Sequence, residues 1–315
     1  MTASYVGIDV SKAKLDLAVY ETGEVWQATN DETGIAESVQ RLKALPAQLI
    51  VLEATGGLEV ALVLALCQEG LPVFVANPRH IRYFARSLGK LAKTDRLDAG
   101  VLAEYAARVQ PTPRPMPDAE QYALNDLVTR RRQVVEMLTA ERNRCTAARP
   151  KLRAKIQPHI DWLEDELQRL SDEIQEQIKK NTLWSDRDAI VQSVPGIGPV
   201  CSMSLLAQLP ELGLLNHKAL AALVGLAPLN RDSGRWRGKR SIWGGRATIR
   251  PVIYMGTLSA IQHNAVIHAF YQRLLDAGKA KKVALVACAH KLLTILNAMV
   301  RHHTLWNAAY DKTAH

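Results

Sequence analysis

The fold of the N-terminal region follows largely from residues 5–29, YVGIDVSKAKLDLAVYETGEVWQAT. This stretch opens with a short apolar run over residues 5–10. Residues 14–20 follow, with apolar side chains at every second position, and residues 24–29 form a third extended segment. Alternation with a period of two is the pattern of a half-buried strand, and Gly23 suits the turn between the second and third segments. The stretch therefore predicts three consecutive strands, the last two joined as a hairpin.

Beyond this stretch, helix-like and strand-like patterns alternate up to residue 109. The predicted elements are a helix over 35–45 ended by Pro46, a buried strand over 48–53, a helix over 58–68, a strand over 72–76, and helices over 78–88 and 95–109. The continuous apolar run over 48–53 indicates a central strand covered on both faces. The order β-β-β-α-β-α-β-α predicts a mixed α/β sheet flanked by helices, as expected of an RNase H-like domain.

Four acidic residues stand at the ends of these elements. Asp9 closes the first strand in GIDVSK, and Glu53 closes the buried strand in LEATGG. Asp95 and Asp98 lie three apart in KTDRLDA, where Thr94 could cap the helix and both carboxylates would project from one face. A charge at the end of an apolar central strand is costly unless it has a partner, and a divalent cation is a natural one. Carboxylate oxygens are ligands that suit Mg²⁺.

Each acid has an ordinary interpretation when it is taken alone. Asp9 and Glu53 could be strand-end turn residues, and Asp95 and Asp98 could be acids that favour the start of a helix. All four together, in this strand order, favour a two-metal site that acts on a phosphodiester.

Residues 110–117 contain four prolines and read as a linker. About sixty residues of helical pattern follow, with one apolar stripe from Leu124 to Leu138 and a second from Leu163 to Ile178. Pro150 and Pro158 are expected to interrupt the pattern. Charges fill the remaining positions, so the region predicts an antiparallel or intermolecular coiled coil. A plain helical spacer is the alternative.

The segment VPGIGP, residues 194–199, precedes an apolar helix and resembles a helix-hairpin-helix motif. In such a motif Gly196 and Gly198 would bring backbone N–H groups close to a phosphate. An ordinary turn between two helices explains the same letters.

Residues 229–250 combine dense positive charge with aromatic side chains and a flexible backbone. Asp232 is the only acid among them, and four glycines are interspersed. A loop of this composition can follow a phosphate chain and stack on bases. The predicted nucleic-acid-binding residues are Arg231, Arg235, Trp236, Arg237, Lys239, Arg240 and Arg246, with Trp243 and Arg250 in the same loop.

Ser233 stands at the head of this basic loop. A serine among arginines could attack phosphorus, because the cations would stabilise the charge that develops in the transition state. By chemistry alone, a surface serine in a turn is the better explanation, and Ser241 is a second hydroxyl in the same loop.

Composition limits the class of protein. Nearly half of the 315 residues are apolar, which allows a substantial core, and four dispersed cysteines predict neither zinc nor disulfides. The chain shows no secretory signal, and its longest apolar stretch, residues 61–67, is too short to cross a bilayer. These features predict a soluble cytoplasmic protein without a membrane partner. Residues 181–315 contain 16 Lys and Arg against 6 Asp and Glu, which suggests a nucleic acid as partner.

The motifs GIDVSK, LEATGG, KTDRLDA, SVPGIGP and GLAPLNRDSG, in this order, resemble the DEDD transposases of the IS110 insertion-sequence family, which includes Piv-type DNA invertases. The resemblance implies a RuvC-like domain over 1–115, a coiled coil over 116–183 and a helical C-terminal transposase domain over 184–315. It implies that Asp9, Glu53, Asp95 and Asp98 bind Mg²⁺. It also implies that Ser233 is a nucleophile that forms a phosphoserine with DNA.

Further implications concern the partners of the chain. Members of the family act on double-stranded donor and target DNA, and insertion-sequence members are guided by a structured bridge RNA. The resemblance also implies a homotetramer, a dimer of dimers, in which one subunit completes the site of another. Three alternatives stay open: a resolvase-type metal nuclease that uses water, a protein-guided invertase without RNA, and a non-catalytic nucleic-acid-binding protein.

Overall fold

The computed structural model describes residues 4–90, 95–113, 118–230, 232–234, 236–238 and 240–307, without the side chains of residues 95–97 and 237. The chain divides into two compact units, Met1–Ala119 and Glu120–His315. The three-part division at residues 115 and 183 stays a prediction.

The N-terminal unit is built around a five-stranded sheet. Its strands are β1 (Ser4–Val10), β2 (Lys14–Val19), β3 (Val25–Thr29), β4 (Ala47–Glu53) and β5 (Val73–Ala76). They lie in the order β3-β2-β1-β4-β5, antiparallel from β3 to β1 and parallel from β1 to β5. The helices are α1 (Glu32–Lys43), α2 (Val60–Gln68), α3 (Pro78–Ser87) and α4 (Asp95–Val109). The predicted mixed α/β class and the order of these elements are confirmed.

Helices cover both faces of the sheet. Ile8 and Leu52 belong to a core cluster that includes residues of α1 and α2, whereas Val51 packs in a cluster with Leu102 and Tyr105 of α4. Successive side chains of a strand point to opposite faces, so each buried strand supplies both clusters. This explains why residues 48–53 form a nearly continuous apolar run.

Helix α4 lies directly on strand β1, and Gly7 makes this approach possible. A Cβ atom at Gly7 would lie 2.2 Å from the backbone nitrogen of Ala103 and from the carbonyl oxygen of Ala99. At the other end of the contact, the side-chain amide of Gln110 donates to the Tyr5 hydroxyl at 2.8 Å. The C-terminal end of α4 thus meets the beginning of β1, and the helix begins near the end of the strand.

The C-terminal unit opens with two long helices, α5 (Ala119–Ala147) and α6 (Pro150–Lys180), which form an antiparallel hairpin. Leu138 packs in one cluster with Leu163, and Leu124 packs in another with Ile178. The expected interruption at Pro158 is wrong, because α6 runs through it. Pro158 is exposed, so water can reach the backbone carbonyl that loses its partner. Pro150 occupies the first helical turn, which proline favours.

The remaining helices of this unit are α7 (Thr182–Gln192), α8 (Pro199–Gln208), α9 (His217–Val224), α10 (Ile249–His263), α11 (Ala265–Asp276) and α12 (Lys281–His302). By length and composition, α12 is long and apolar enough to span a membrane. The expectation that no apolar stretch of the chain is long enough, which was based on residues 61–67, is therefore wrong. More than half of the most apolar window of α12 is buried against the other helices, which accounts for its composition. All four cysteines are free, and burial raises the pKa of Cys201 to about 12.

Candidate active site

Two of the predicted acids lie at the ends of neighbouring parallel strands, Asp9 next to last in β1 and Glu53 last in β4. Ile8 of β1 and Leu52 of β4 are register partners, and Asp9 and Glu53 each follow by one residue. Both acids therefore lie on the sheet face that α4 covers, opposite to the face of Ile8 and Leu52. Neighbouring strands are about 4.8 Å apart, so the backbone brings these two half-buried carboxylates side by side.

The third and fourth acids lie on the first turns of α4. Asp98 is half-buried and directly precedes Ala99, the residue that packs over Gly7. Asp95 is the first residue of α4, and its side chain lies outside the described part of the chain. The start of α4 is therefore at the same end of the sheet as Asp9. Among the described side chains, which exclude that of Asp95, no three His, Cys, Asp or Glu residues form a group that could hold a metal ion.

A fifth carboxylate on this face escaped the sequence analysis. Asp16 of β2 is the register partner of Asp9, is only 6 % exposed, and accepts a hydrogen bond from the Gln27 side chain at 2.6 Å. A cavity of about 410 Å³ borders it, lined also by Trp26 and Ala99. The signal was available, because Asp16 falls between two apolar residues of an alternating strand, on the face that it shares with Asp9.

Two further polar residues fix the loops that follow the acid-bearing strands. The Glu59 carboxylate accepts from the backbone nitrogen of Thr55 at 3.1 Å, from its hydroxyl at 2.7 Å and from the Gly57 nitrogen at 2.9 Å. The Asn30 amide donates to the carbonyl of Ser11 at 2.9 Å and to that of Leu58 at 3.3 Å. Asn30 therefore ties the loop after Asp9 to the loop after Glu53, and no sequence motif indicated it.

The VPGIGP segment forms the turn between α7 and α8. Gly196 has a φ of +94°, and a Cβ atom there would lie 2.5 Å from Cα of Ala260 in α10. This close packing is a structural reason for glycine. Gly198 is exposed and caps α8 in an extended conformation. Phosphate binding by these two glycines stays a prediction.

The basic loop contains more regular structure than its composition suggested. Four two-residue strands pair within it: β6 (Pro228–Leu229) with β9 (Ser241–Ile242), and β7 (Asp232–Ser233) with β8 (Trp236–Arg237). We call residues 227–246 the serine arm. Ser233 lies exposed in its β7–β8 pair, which falls between β6 and β9 in the sequence. Strands this short leave no periodic trace in a sequence.

The base of the serine arm is anchored to the helical unit. The Arg246 guanidinium contacts both carboxylate oxygens of Glu211, at 2.6 and 2.5 Å, and donates to the Gln208 carbonyl at 2.8 Å. Gly225 and Gly245 pack so closely that a Cβ atom on Gly245 would lie 2.3 Å from the Gly225 nitrogen. The structure gives Arg246 an internal partner, and a role for it in nucleic-acid binding stays a prediction.

The other predicted nucleic-acid contacts of the arm differ in what the structure describes. Trp236 is 61 % exposed, Trp243 is 57 % exposed, and Arg240 is also exposed. The backbone of Arg237 belongs to β8, without a described side chain. Three predicted contacts lie outside the described residues: Arg231, Arg235 and Lys239. The described aromatic side chains are therefore open to solvent, as base stacking requires.

Comparison with known proteins places this arrangement in a family. Residues 6–148 match a model of DEDD transposases of the IS110 type, and residues 188–272 match a model of the IS116/IS110/IS902 transposases. A pilin gene-inverting protein of Moraxella lacunata is 28 % identical over the full length of both chains. The transposase of insertion sequence IS1111A from Coxiella burnetii is 23 % identical over 94 % of this chain and 89 % of its own.

An IS116 protein of Streptomyces clavuligerus is 30 % identical over 42 % of this chain and 34 % of its own. The first family model extends through α5, the second begins after α6, and together they span most of the chain. One contains all four predicted acids, and the other contains Ser233 and the turn before α8. The chain belongs to the IS116/IS110/IS902 family of transposases, and is by that membership an enzyme that recombines DNA.

Proposed function

We propose that this transposase cuts and exchanges DNA strands through a covalent phosphoserine at Ser233. The observation that carries the proposal is the position of Ser233, exposed on an arm whose base is held by Arg246 and by the Gly225–Gly245 contact. Arg231 and Arg235 flank it in the sequence, two residues away on either side. An exposed hydroxyl among cations can approach a phosphodiester that is too large to enter a closed pocket.

The covalent step conserves the number of phosphoester bonds. The Ser233 oxygen would form a bond to phosphorus and lose its proton to solvent or to a nearby base. The bond from phosphorus to one sugar oxygen would break, and that oxygen would leave as a hydroxyl after it takes up a proton. The reverse reaction, with a different sugar hydroxyl as attacker, would rejoin the strands without a nucleotide cofactor.

The N-terminal unit is proposed to be a RuvC-like domain whose acids bind Mg²⁺. Its antiparallel–parallel sheet places Asp9 and Glu53 together, and the start of α4 brings Asp98 to the same end. If Asp95 joins them as the resemblance implies, the ligands would all be carboxylate oxygens, which suit this ion. Mg²⁺ bound there would stabilise negative charge on a reacting phosphate. Asn30 and Glu59 would hold the loops beside these acids in position.

The partners follow from family membership. We propose double-stranded donor and target DNA, a structured bridge RNA as guide, and a homotetramer in which the serine arm of one subunit completes the acid site of another. The α5–α6 hairpin would serve as the coiled coil of the predicted middle domain, and the protein would act in the cytoplasm. The arginines and exposed tryptophans of the arm would hold the nucleic acids.

A protein-guided invertase is the second candidate. One observation favours it: the full-length match to the pilin gene-inverting protein of Moraxella lacunata. Recombination by purified protein on DNA, with and without RNA transcribed from the DNA that flanks the gene, separates the two. Recombination that requires the RNA supports the guided mechanism, and equal recombination without any RNA contradicts it.

The experiment that tests the catalytic assignment is recombination of a reporter plasmid in cells. Ser233→Ala and Glu53→Gln are each expected to abolish recombination, whereas Ser241→Ala is expected to retain it. If Ser233→Ala still cuts DNA while Glu53→Gln does not, water is the nucleophile, and a resolvase-type nuclease replaces the proposal. If Glu53→Gln leaves every activity unchanged, the acids are structural.

A further inference from the structure

The α5–α6 hairpin has a strongly polarised charge. Residues 142–160, which include the turn between the helices, contain six Lys and Arg and no Asp or Glu. Residues 161–180, along the rest of α6, contain seven Asp and Glu against three Lys and Arg. We call residues 142–160 the hairpin tip. Its positive charge is separate in sequence from that of the serine arm.

Half of the cations of the hairpin tip have partners within the protein. Arg142 contacts Glu164 at 2.7 Å, Arg144 contacts Glu141 at 3.0 Å, and Arg153 donates to two backbone carbonyls. The other three are exposed and form no ion pair within the described part of the chain: Arg149, Lys151 and Lys155. These three side chains are available to an external anion.

The placement of these cations opposes the stability of the helix. The N-terminal end of a helix carries partial positive charge, so acids stabilise its first turn and cations destabilise it. The first turn of α6 contains Lys151 and no acid, and Arg149 stands at the cap position without a side-chain capping bond. Folding does not explain this choice of residues. A bound polyanion does, because the cations and the backbone N–H groups of the first turn would attract it together.

An aromatic pair accompanies the charge. His159 and Trp162 stack with their ring centroids 6.2 Å apart, and Trp162 is 48 % exposed. Leu152 is 52 % exposed, and Lys155 lies between Leu152 and His159. Spacings of three, four and three residues put Leu152, Lys155, His159 and Trp162 on one stripe of α6. Exposed apolar and aromatic surface beside cations suits the sugars and bases next to a phosphate chain.

We propose that the hairpin tip is a second nucleic-acid-binding surface, which contacts the phosphodiester backbone through Arg149, Lys151 and Lys155. Binding through phosphates is independent of sequence and releases condensed counterions, so it depends steeply on salt. The surface would position nucleic acid without taking part in strand cleavage. Its test therefore needs no active recombination complex, and its failure leaves the proposal for Ser233 unaffected.

The test is fluorescence anisotropy of the full-length protein with a 30-base-pair DNA duplex and with an RNA duplex, across a series of KCl concentrations. The triple variant Arg149→Gln/Lys151→Gln/Lys155→Gln removes the three cations. If each contacts one phosphate of DNA, the slope of log K against log salt falls by about 2.7 in magnitude. Relative to 1 M salt, the affinity of the variant at 0.1 M then falls about five-hundredfold below that of the wild type.

A matched control removes the same charge from the other part of α6. Arg169→Gln/Lys179→Gln/Lys180→Gln changes three exposed cations that lie among acids, so binding is expected to change less than twofold. Lys151→Glu provides a separate check on folding, because an acid in the first turn is expected to keep or raise the melting temperature while it weakens binding.

Loss of binding to the RNA duplex alone would assign the surface to RNA, and loss for both duplexes would assign it to duplex backbones in general. Equal binding curves and salt slopes for the hairpin-tip variant and the control variant, with both duplexes, would overturn the proposal.

Discussion

The ion pair between Arg246 and Glu211 makes the sharpest prediction about the serine arm. Arg246→Met keeps the length of the side chain but removes two charge-assisted bonds to the carboxylate and one to the Gln208 carbonyl. The side chains are 35 % and 21 % exposed, so solvent screens part of the interaction. We expect the free energy of unfolding to fall by about 2–3 kcal/mol. For a unit of this size, the melting temperature would fall by roughly 4–12 °C.

A double-mutant cycle with Glu211→Gln isolates the pair. Thermal unfolding of the wild type, both single variants and the double variant should give a coupling energy of about 1–2 kcal/mol. Arg240→Met is the matched control in the same arm, where an exposed arginine should contribute less than about 0.5 kcal/mol. Unchanged stability in Arg246→Met and a coupling near zero would refute the structural role. A salt slope for DNA binding that is lower by about 0.9 would then identify Arg246 as a phosphate contact.

Three further predictions concern other contacts. Gly7→Ala should destabilise the N-terminal unit by about 3 kcal/mol in denaturant unfolding, because α4 leaves no room for a Cβ atom. Gly100→Ala, on the open side of α4, should not destabilise it. Equal effects of the two substitutions would contradict this packing. Asn30→Ala should weaken Mn²⁺ binding about tenfold in calorimetric titration, because it removes the hydrogen bonds that tie together the loops after Asp9 and Glu53. Unchanged affinity would argue against a positioning role for Asn30. Burial and, secondarily, His217 lower the pKa of His290 below 6.5, so the unfolded chain binds the extra proton more readily. Stability should therefore fall as pH drops below about 6.5, and His290→Gln should reduce this dependence in thermal melts.

The order of elements in the N-terminal unit could be predicted because local patterns determine it. The apolar run over 48–53 reflects the burial of both faces of β4. The alternation over 14–20 indicated a half-buried strand, whereas β2 is buried on both faces from Leu15 to Val19. What the patterns could not supply is the approach of α4 to Gly7, since that depends on residues almost a hundred positions apart. Asn30 was missed for the same reason, because its two partners belong to different loops.

The candidate site shows a similar limit. The neighbouring positions of Asp9 and Glu53 follow from the sequence because the ends of neighbouring parallel strands meet at one edge of a sheet. Asp16 belongs to an antiparallel neighbour and stands in mid-strand, where an acid is usually taken as a solvent-facing residue. Ser233 is proposed as the nucleophile only through family resemblance, since a serine in a turn has no chemical signature of its own.

Charge averaged over long segments hid the hairpin tip. Residues 1–180 contain almost equal numbers of acids and bases, so the region looked neutral. The structure shows that α6 separates the two signs along its length, with the bases at the turn and the acids beyond it. The helix boundaries reveal that these cations share one end of a hairpin. The sequence did not supply these boundaries, because a break was expected at Pro158.

A phosphoserine at Ser233 can be detected by trapping the protein on labelled DNA. Wild type, Ser233→Ala and Ser241→Ala are incubated with Mg²⁺, RNA and DNA, separated under denaturing conditions, and the adduct is digested for mass spectrometry. We predict an adduct in the wild type and in Ser241→Ala, with the nucleotide attached to the peptide that contains Ser233, and none in Ser233→Ala. Cleaved DNA without an adduct in any lane, or an adduct that maps to Ser241, would contradict the assignment of Ser233 as the nucleophile.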